Sequence, residues 1–344
     1  MQVLRKLFLC ISFFLLSVAS VYCVTLFVDP AVTLAEETDT SSKEASSAIK
    51  EKEEPVISKT PEASSEKVSS AAPVSAQGTV KGKIITRRIS AGSGNLKYNN
   101  VSIKNSTSLK IDLKTELLAG PSIRLQQISE PQVLIMHTHT TECFMLEDRD
   151  YYIDSDLSRT TDDAKNIVAV GEVLKSGLEA KGIGVIHATE KHDYPEYTGS
   201  YTRSAVTVKK YLEKHPTIKV VIDLHRDAMM DSEGTKTAVV SEIKGKKAAQ
   251  LMIVAGCESG DVTGYPNWRQ NFRLAIKLQQ SLEVMYPTLA RPMLFTERKY
   301  NQHLTPGSIL IECGTDANTL EQAKYSATLL ADSLALTLNM LKEN

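Results

Sequence analysis

Residues 131–142 read Pro-Gln-Val-Leu-Ile-Met-His-Thr-His-Thr-Thr-Glu, a short run of β-formers that breaks into a polar cluster. The apolar part predicts a buried strand at 132–136, and the same signal returns at 183–187, 218–224, 236–243, 251–255, 293–295 and 308–311. Between these runs lie segments of helical period at 163–180, 201–214, 268–285 and 318–341. In the last, Leu320, Ala323, Ala327, Leu330, Leu334 and Leu338 share one face, with Asp316 or Asn318 as N-cap. Short strands alternating with helices predict an α/β domain over 131–344, built on a mostly parallel twisted sheet flanked by helices.

Upstream the composition changes. Ser, Ala, Glu, Lys, Thr and Pro dominate 29–96, which buries too little apolar surface to offset its conformational entropy and is expected as a disordered linker. Residues 97–130 form a transitional segment in which Leu109-Lys110-Ile111-Asp112-Leu113 alternates like a strand. Near the N-terminus, Arg5 and Lys6 precede an uncharged run from Leu7 to Val28. That run is long enough to cross a bilayer of ~30 Å as a helix of ~20 residues. Its apolar character continues past Val18-Ala19-Ser20, which favours an uncleaved transmembrane signal-anchor over 1–28 rather than a cleaved signal. Basic residues before it, and Asp29, Glu36 and Glu37 after it, put the body of the protein outside the membrane.

The charge balance of 40 basic against 41 acidic residues provides no electrostatic footprint for nucleic acid. Of five cysteines, Cys10 and Cys23 lie in the apolar run, so Cys143, Cys257 and Cys313 allow at most one disulfide in the domain.

Three polar clusters stand at or just past expected strand ends: 137–142, Asp223-Leu224-His225-Arg226-Asp227, and Glu312 in 309–314. Ligands of an open parallel sheet collect outside its carboxyl ends, so these clusters are expected to converge. His139 and Glu142 have H-x-x-E spacing, and with His225 they make a His₂Glu set that suits catalytic zinc and leaves a fourth position for water. Glu312 is the expected general base. H-x-x-E alone arises often by chance, and its plain alternative is histidines closing strand ends with Glu142 paired to a surface cation. Against that alternative, three of seven histidines directly follow apolar runs, and a carboxylate ends a fourth.

Taken in order, HTHTTE, DLHRD, the segment Pro266-Asn267-Trp268-Arg269-Gln270-Asn271 and LIECGTDANT resemble the stage II sporulation protein P family over about 131–341. The apolar run and linker match that family's layout. The resemblance implies a zinc-dependent N-acetylmuramoyl-L-alanine amidase that also cleaves cross-linked stem peptides of peptidoglycan during engulfment, with a fold similar to the zinc amidases of cell-wall turnover. It implies a single-pass membrane protein whose catalytic domain lies between mother cell and forespore. It also implies partnership with stage II sporulation proteins D and M, one supplying a transglycosylase and the other a membrane hub.

Carried onto this chain, the family's metal motif falls on His137, His139, Glu142 and His225, and its catalytic glutamate on Glu312. Both His137 and His139 stand as first ligand. Strand alternation is expected to point them the same way, with the unbound one orienting a ligand or stabilising the oxyanion. His₂Glu is not unique to zinc, so manganese or another divalent ion stays open.

Further candidates surround this set. Arg226 is placed to grip a substrate carboxylate, unless Asp223 or Asp227 neutralises it. Asn267 and Asn271 are candidates for reading peptide amides or sugar groups, with helix capping the alternative for Asn267. His192, Asp193 and Arg203 lie between the clusters and are candidates to line the cleft, with a solvated loop the expected reading for His192 and Asp193, and Cys143 and Cys313 are expected as buried, inert thiols. Two rival functions are a non-catalytic scaffold that binds peptidoglycan or a partner, and a zinc carboxypeptidase.

Overall fold

The computed structural model describes residues 78–343. The expected signal-anchor and most of the expected linker lie outside these residues. Among the described residues no helix is long and apolar enough to cross a membrane.

The strands are β1 (Val80–Arg87), β2 (Leu96–Tyr98), β3 (Val101–Asn105), β4 (Val133–Met136), β5 (Tyr151–Ile153), β6 (Val185–His187), β7 (Val220–Asp227), β8 (Lys236–Ile243), β9 (Lys246–Ala249), β10 (Leu251–Gly256), β11 (Met293–Thr296) and β12 (Ser308–Thr315). The α-helices are α1 (Leu113–Ala119), α2 (Ile167–Glu179), α3 (Ser200–Lys214), α4 (Trp268–Met285) and α5 (Leu320–Asn339).

An eight-stranded sheet in the order β2-β3-β11-β10-β12-β7-β4-β6 forms the body. The pairs β2–β3 and β10–β12 are antiparallel and the others parallel. The mixed α/β architecture is the one expected. A four-stranded sheet, β5-β1-β8-β9, accompanies it.

Period-2 alternation divides the central strands between two faces. Val133, Ile135, Val220, Ile222, Leu224, Ile309, Ile311 and Cys313 belong to the main core with Leu174 and Leu178 of α2 and Leu330 and Leu334 of α5. On the opposite face Leu134, Met136 and Val221 form a smaller cluster with Val208 of α3. Further along, the second face carries Asp223 and His225 on β7 and Glu312 on β12. Glu312 is the register partner of His225 on the neighbouring parallel strand. Both strands continue beyond their expected ends at Leu224 and Ile311, so His225 and Glu312 lie within the sheet rather than past it.

Three local expectations are corrected. The linker expected over 29–96 overlaps β1, which pairs in parallel with β8 and antiparallel with β5. Its sequence, VKGKIITR, is mostly exposed and reads as polar, which hid it among the surrounding Lys and Ser. The segment from Leu109 to Leu113 is no strand: Asp112 accepts from Lys114 N and Thr115 N and caps α1. Finally, Thr319, not Asp316 or Asn318, caps α5, in a reciprocal capping box with Gln322. Asn318 instead bonds the backbone of Val239 and Thr315.

Candidate metal and catalytic site

The site begins where β4 stops. Past Met136 the chain turns, and two carboxylates pin the turn. Asp223 accepts from Thr138 N at 2.8 Å and Thr138 Oγ1 at 2.7 Å. Asp193 accepts from Thr141 N at 3.1 Å, from Thr141 Oγ1 at 2.6 Å, and from Arg159. Both carboxylates are buried, and their several donors offset the cost of removing them from water.

The pinned turn sets Glu142 beside β7. Its Oε2 accepts from Arg226 N at 3.0 Å and lies 3.6 Å from His225 Nδ1. Its Oε1 lies 3.7 Å from the Arg159 guanidinium. His225 Nε2 comes within 2.7 Å of Asp223 Oδ1, off the axis of a hydrogen bond. The His139 ring stands at 90° to that of His225, with centroids 5.2 Å apart. It stacks on Tyr197 at 4.6 Å, and its Nε2 meets the Tyr197 hydroxyl at 3.1 Å. His139 Nδ1 is buried without a hydrogen-bond partner, and so is Glu312 Oε2. Glu312 as a whole residue is partly exposed, although this carboxylate oxygen is buried.

Charges here are strongly biased. Burial lowers His139 to about 4 against the pull of Glu142. Burial raises Glu312 to about 8; Asp227 and Glu142 add to the rise, and His225 and Arg291 oppose it. Burial disfavours the His225 imidazolium, but Asp223 and Glu142 outweigh it and hold this group well above its ordinary value. For Glu142 burial acts upward and is overcome by His225 and Arg226, leaving its carboxyl far below the usual range. Such opposed shifts in one cluster are typical of functional sites.

Four of the residues singled out by the sequence thus come together: His139, Glu142, His225 and Glu312. His137 does not join them. Its Nδ1 meets Leu224 O at 2.7 Å and its Nε2 meets His187 Nε2 at 2.8 Å, so both ring nitrogens are engaged. The expectation that His137 and His139 point alike fails because β4 ends at Met136 and alternation ends with it. Gly171 of α2 makes room for this histidine pair, since a Cβ there would stand 2.5 Å from His187 Nε2 and 2.9 Å from His137 Nε2.

Arg226 has another occupation than substrate. Its Nε donates to Cys143 O at 3.0 Å and an Nη to Ser158 O at 2.6 Å, both backbone carbonyls. Asn271 is fully buried, donating to Tyr265 Oη and Gln302 O and accepting from Ser308 N at the start of β12. Asn267 occupies the N-cap position of α4 without a side-chain cap bond. His192 and Asp193, expected in solvent, are buried, because their loop folds back onto the 137–142 turn. Cys143 and Cys313 are buried free thiols, and burial pushes Cys143 up to about 11.

Tyr197, Arg159, Asp193 and Asp223 complete the surroundings. Asp223 was visible in DLHRD and Asp193 beside His192; Tyr197 and Arg159 come from irregular loops that offer no periodicity to read. Among the described residues no three of His, Cys, Asp and Glu form a group that could hold a metal ion as they stand.

Similarities to solved structures are partial. The N-acetylmuramoyl-L-alanine amidase AmiC2 of Nostoc punctiforme is 12% identical, with 64% of this chain and 97% of that chain covered and a TM-score of 0.35. An N-acetylmuramoyl-L-alanine amidase from Clostridium difficile 630 is 14% identical, with 62% and 97% covered and a TM-score of 0.37. Identity at this level says nothing of chemistry. A curated relative, stage II sporulation protein P of Bacillus subtilis (strain 168), is 30% identical over 213 residues, which are 58% of this chain and 49% of the relative. The chain therefore matches about half the length of that relative. The model of the stage II sporulation protein P family matches residues 25–335, most of the sequence, and the chain belongs to that family.

Proposed function

We propose that this protein is a zinc-dependent peptidoglycan hydrolase that cleaves the amide between N-acetylmuramic acid and L-alanine, and also stem-peptide cross-links, during sporulation. The observation that carries the reading is the meeting of His139, Glu142, His225 and Glu312 on one side of the sheet, with a buried, partnerless nitrogen on His139 and a buried, partnerless oxygen on Glu312. Family membership supports the substrate.

The residues fit zinc in kind: two imidazoles and one carboxylate, with a buried orphan nitrogen among them. His139, Glu142 and His225 would hold the ion. When bound, Zn²⁺ supplies a Lewis acid that brings the pKa of a coordinated water toward ~7. Asp223 Oδ1 stands 2.7 Å from His225 Nε2, and Nδ1 of the same ring faces Glu142. Glu312 takes a proton from the attacking water and returns it to the leaving nitrogen as the C–N bond breaks, so the products are a carboxylic acid and an amine.

Anchoring through residues 7–28, and work alongside stage II sporulation proteins D and M, belong to the same proposal on the strength of the family. The test is mass spectrometry of purified peptidoglycan digested by the wild type and by His225→Ala. Release of stem peptides with free alanine N-termini by the wild type alone supports the reading. Equal release by both proteins contradicts it.

A further inference from the structure

The exposed side of the site holds a group that the sequence did not mark. Tyr197 is 44% exposed, yet its ring lies nearly parallel to His139 (14°) at 4.6 Å, and its hydroxyl meets His139 Nε2 at 3.1 Å. Arg159 lies 4.6 Å from the Tyr197 ring centroid, bonds Asp193, and comes within 3.7 Å of Glu142. One arginine therefore touches the tyrosine, the clamp on the 137–142 turn, and a proposed ligand.

A neutral imidazole has one N–H and one lone pair. If Nε2 carries the hydrogen and donates it to the Tyr197 oxygen, the lone pair falls on Nδ1, the atom that is buried and partnerless.

We propose that Tyr197, braced by Arg159, is a positioning residue that holds the plane of the His139 ring so that Nδ1 faces the metal. The proposal rests on the zinc reading above. Tyr197→Phe keeps the stacked ring and removes only the oxygen, and lost partners of this type lower metal affinity about 10–100-fold.

The experiment is zinc competition against a chromophoric chelator with the full chain in detergent, for the wild type, Tyr197→Phe and His139→Ala. It is joined to visible d–d spectra of the Co²⁺-loaded proteins and to melting of the metal-free proteins. Expected are zinc binding weakened about 10–100-fold in Tyr197→Phe and more in His139→Ala, an altered Co²⁺ spectrum in Tyr197→Phe, and unchanged metal-free melting. Equal zinc affinity in wild type and Tyr197→Phe overturns the role of Tyr197 and leaves the zinc reading standing. Weaker binding that tracks a lowered metal-free melting temperature, with an unaltered Co²⁺ spectrum, overturns it as well. A folded wild type that takes up no zinc overturns both.

Discussion

Glu312 is the residue on which the proposed chemistry turns. Its carboxyl is pushed up to about 8, chiefly by burial. A folded pKa above the unfolded value means that folding holds the proton more tightly. The resulting stability is present in full below the unfolded carboxyl's range near 4.5 and is lost as pH rises through about 8. Metal-free wild type is therefore expected to lose stability relative to Glu312→Gln across that interval, as read from denaturant midpoints at several pH values. Parallel curves would remove the basis for a perturbed Glu312.

Two neighbours behave unlike their types. Gly→Ala inside a helix ordinarily stabilises by about 0.5–1 kcal/mol. Gly171→Ala is expected to destabilise, because its Cβ would press on the His137–His187 pair, and the denaturation midpoint gives the sign directly. Arg226→Ala is expected to cost about 2–4 kcal/mol by stranding the carbonyls of Cys143 and Ser158. A rise in KM with unchanged stability would instead restore the substrate role the sequence suggested. The sequence made the four converging residues legible because each is polar at or shortly after the end of an apolar run. Tyr197 and Arg159 were not legible, and Asp193 was expected in solvent, because their placement depends on how the loops 154–166 and 188–199 fold back.

At the scale of elements, the long periodic segments were readable: α4 and β8 fall where their patterns end, and α2, α3 and α5 lie within a few residues of expectation. What escaped were short or solvent-facing pieces such as β1, β5 and α1, whose partners are remote in sequence. β1 sits between β5 and β8, so its loss would leave two unpaired edges. A chain shortened to begin at Leu96 is expected to aggregate or to melt without cooperativity, whereas one beginning at Gly78 melts in a single transition. Equal behaviour in thermal melts and light scattering would show β1 to be dispensable. Thr319→Ala, removing the capping box of α5, is expected to cost about 1 kcal/mol.

For the molecule as a whole, the parallel run β12-β7-β4 brings three distant sequence clusters to one place, while the larger core on the opposite face holds the strands in register. The central claim is that this place hydrolyses the muramoyl-alanine amide with a metal held by His139, Glu142 and His225 and a proton carried by Glu312. The most direct measurement is mass spectrometry of peptidoglycan incubated with wild type and Glu312→Gln, each before chelation, after chelation and after zinc add-back, with bound zinc quantified in parallel. Expected are stem-peptide release by wild type that vanishes on chelation and returns with zinc, and a loss of about 10²–10⁴-fold in Glu312→Gln although it still binds zinc. Intact peptidoglycan from a folded, zinc-loaded wild type, or release that survives chelation or the loss of Glu312, would contradict it.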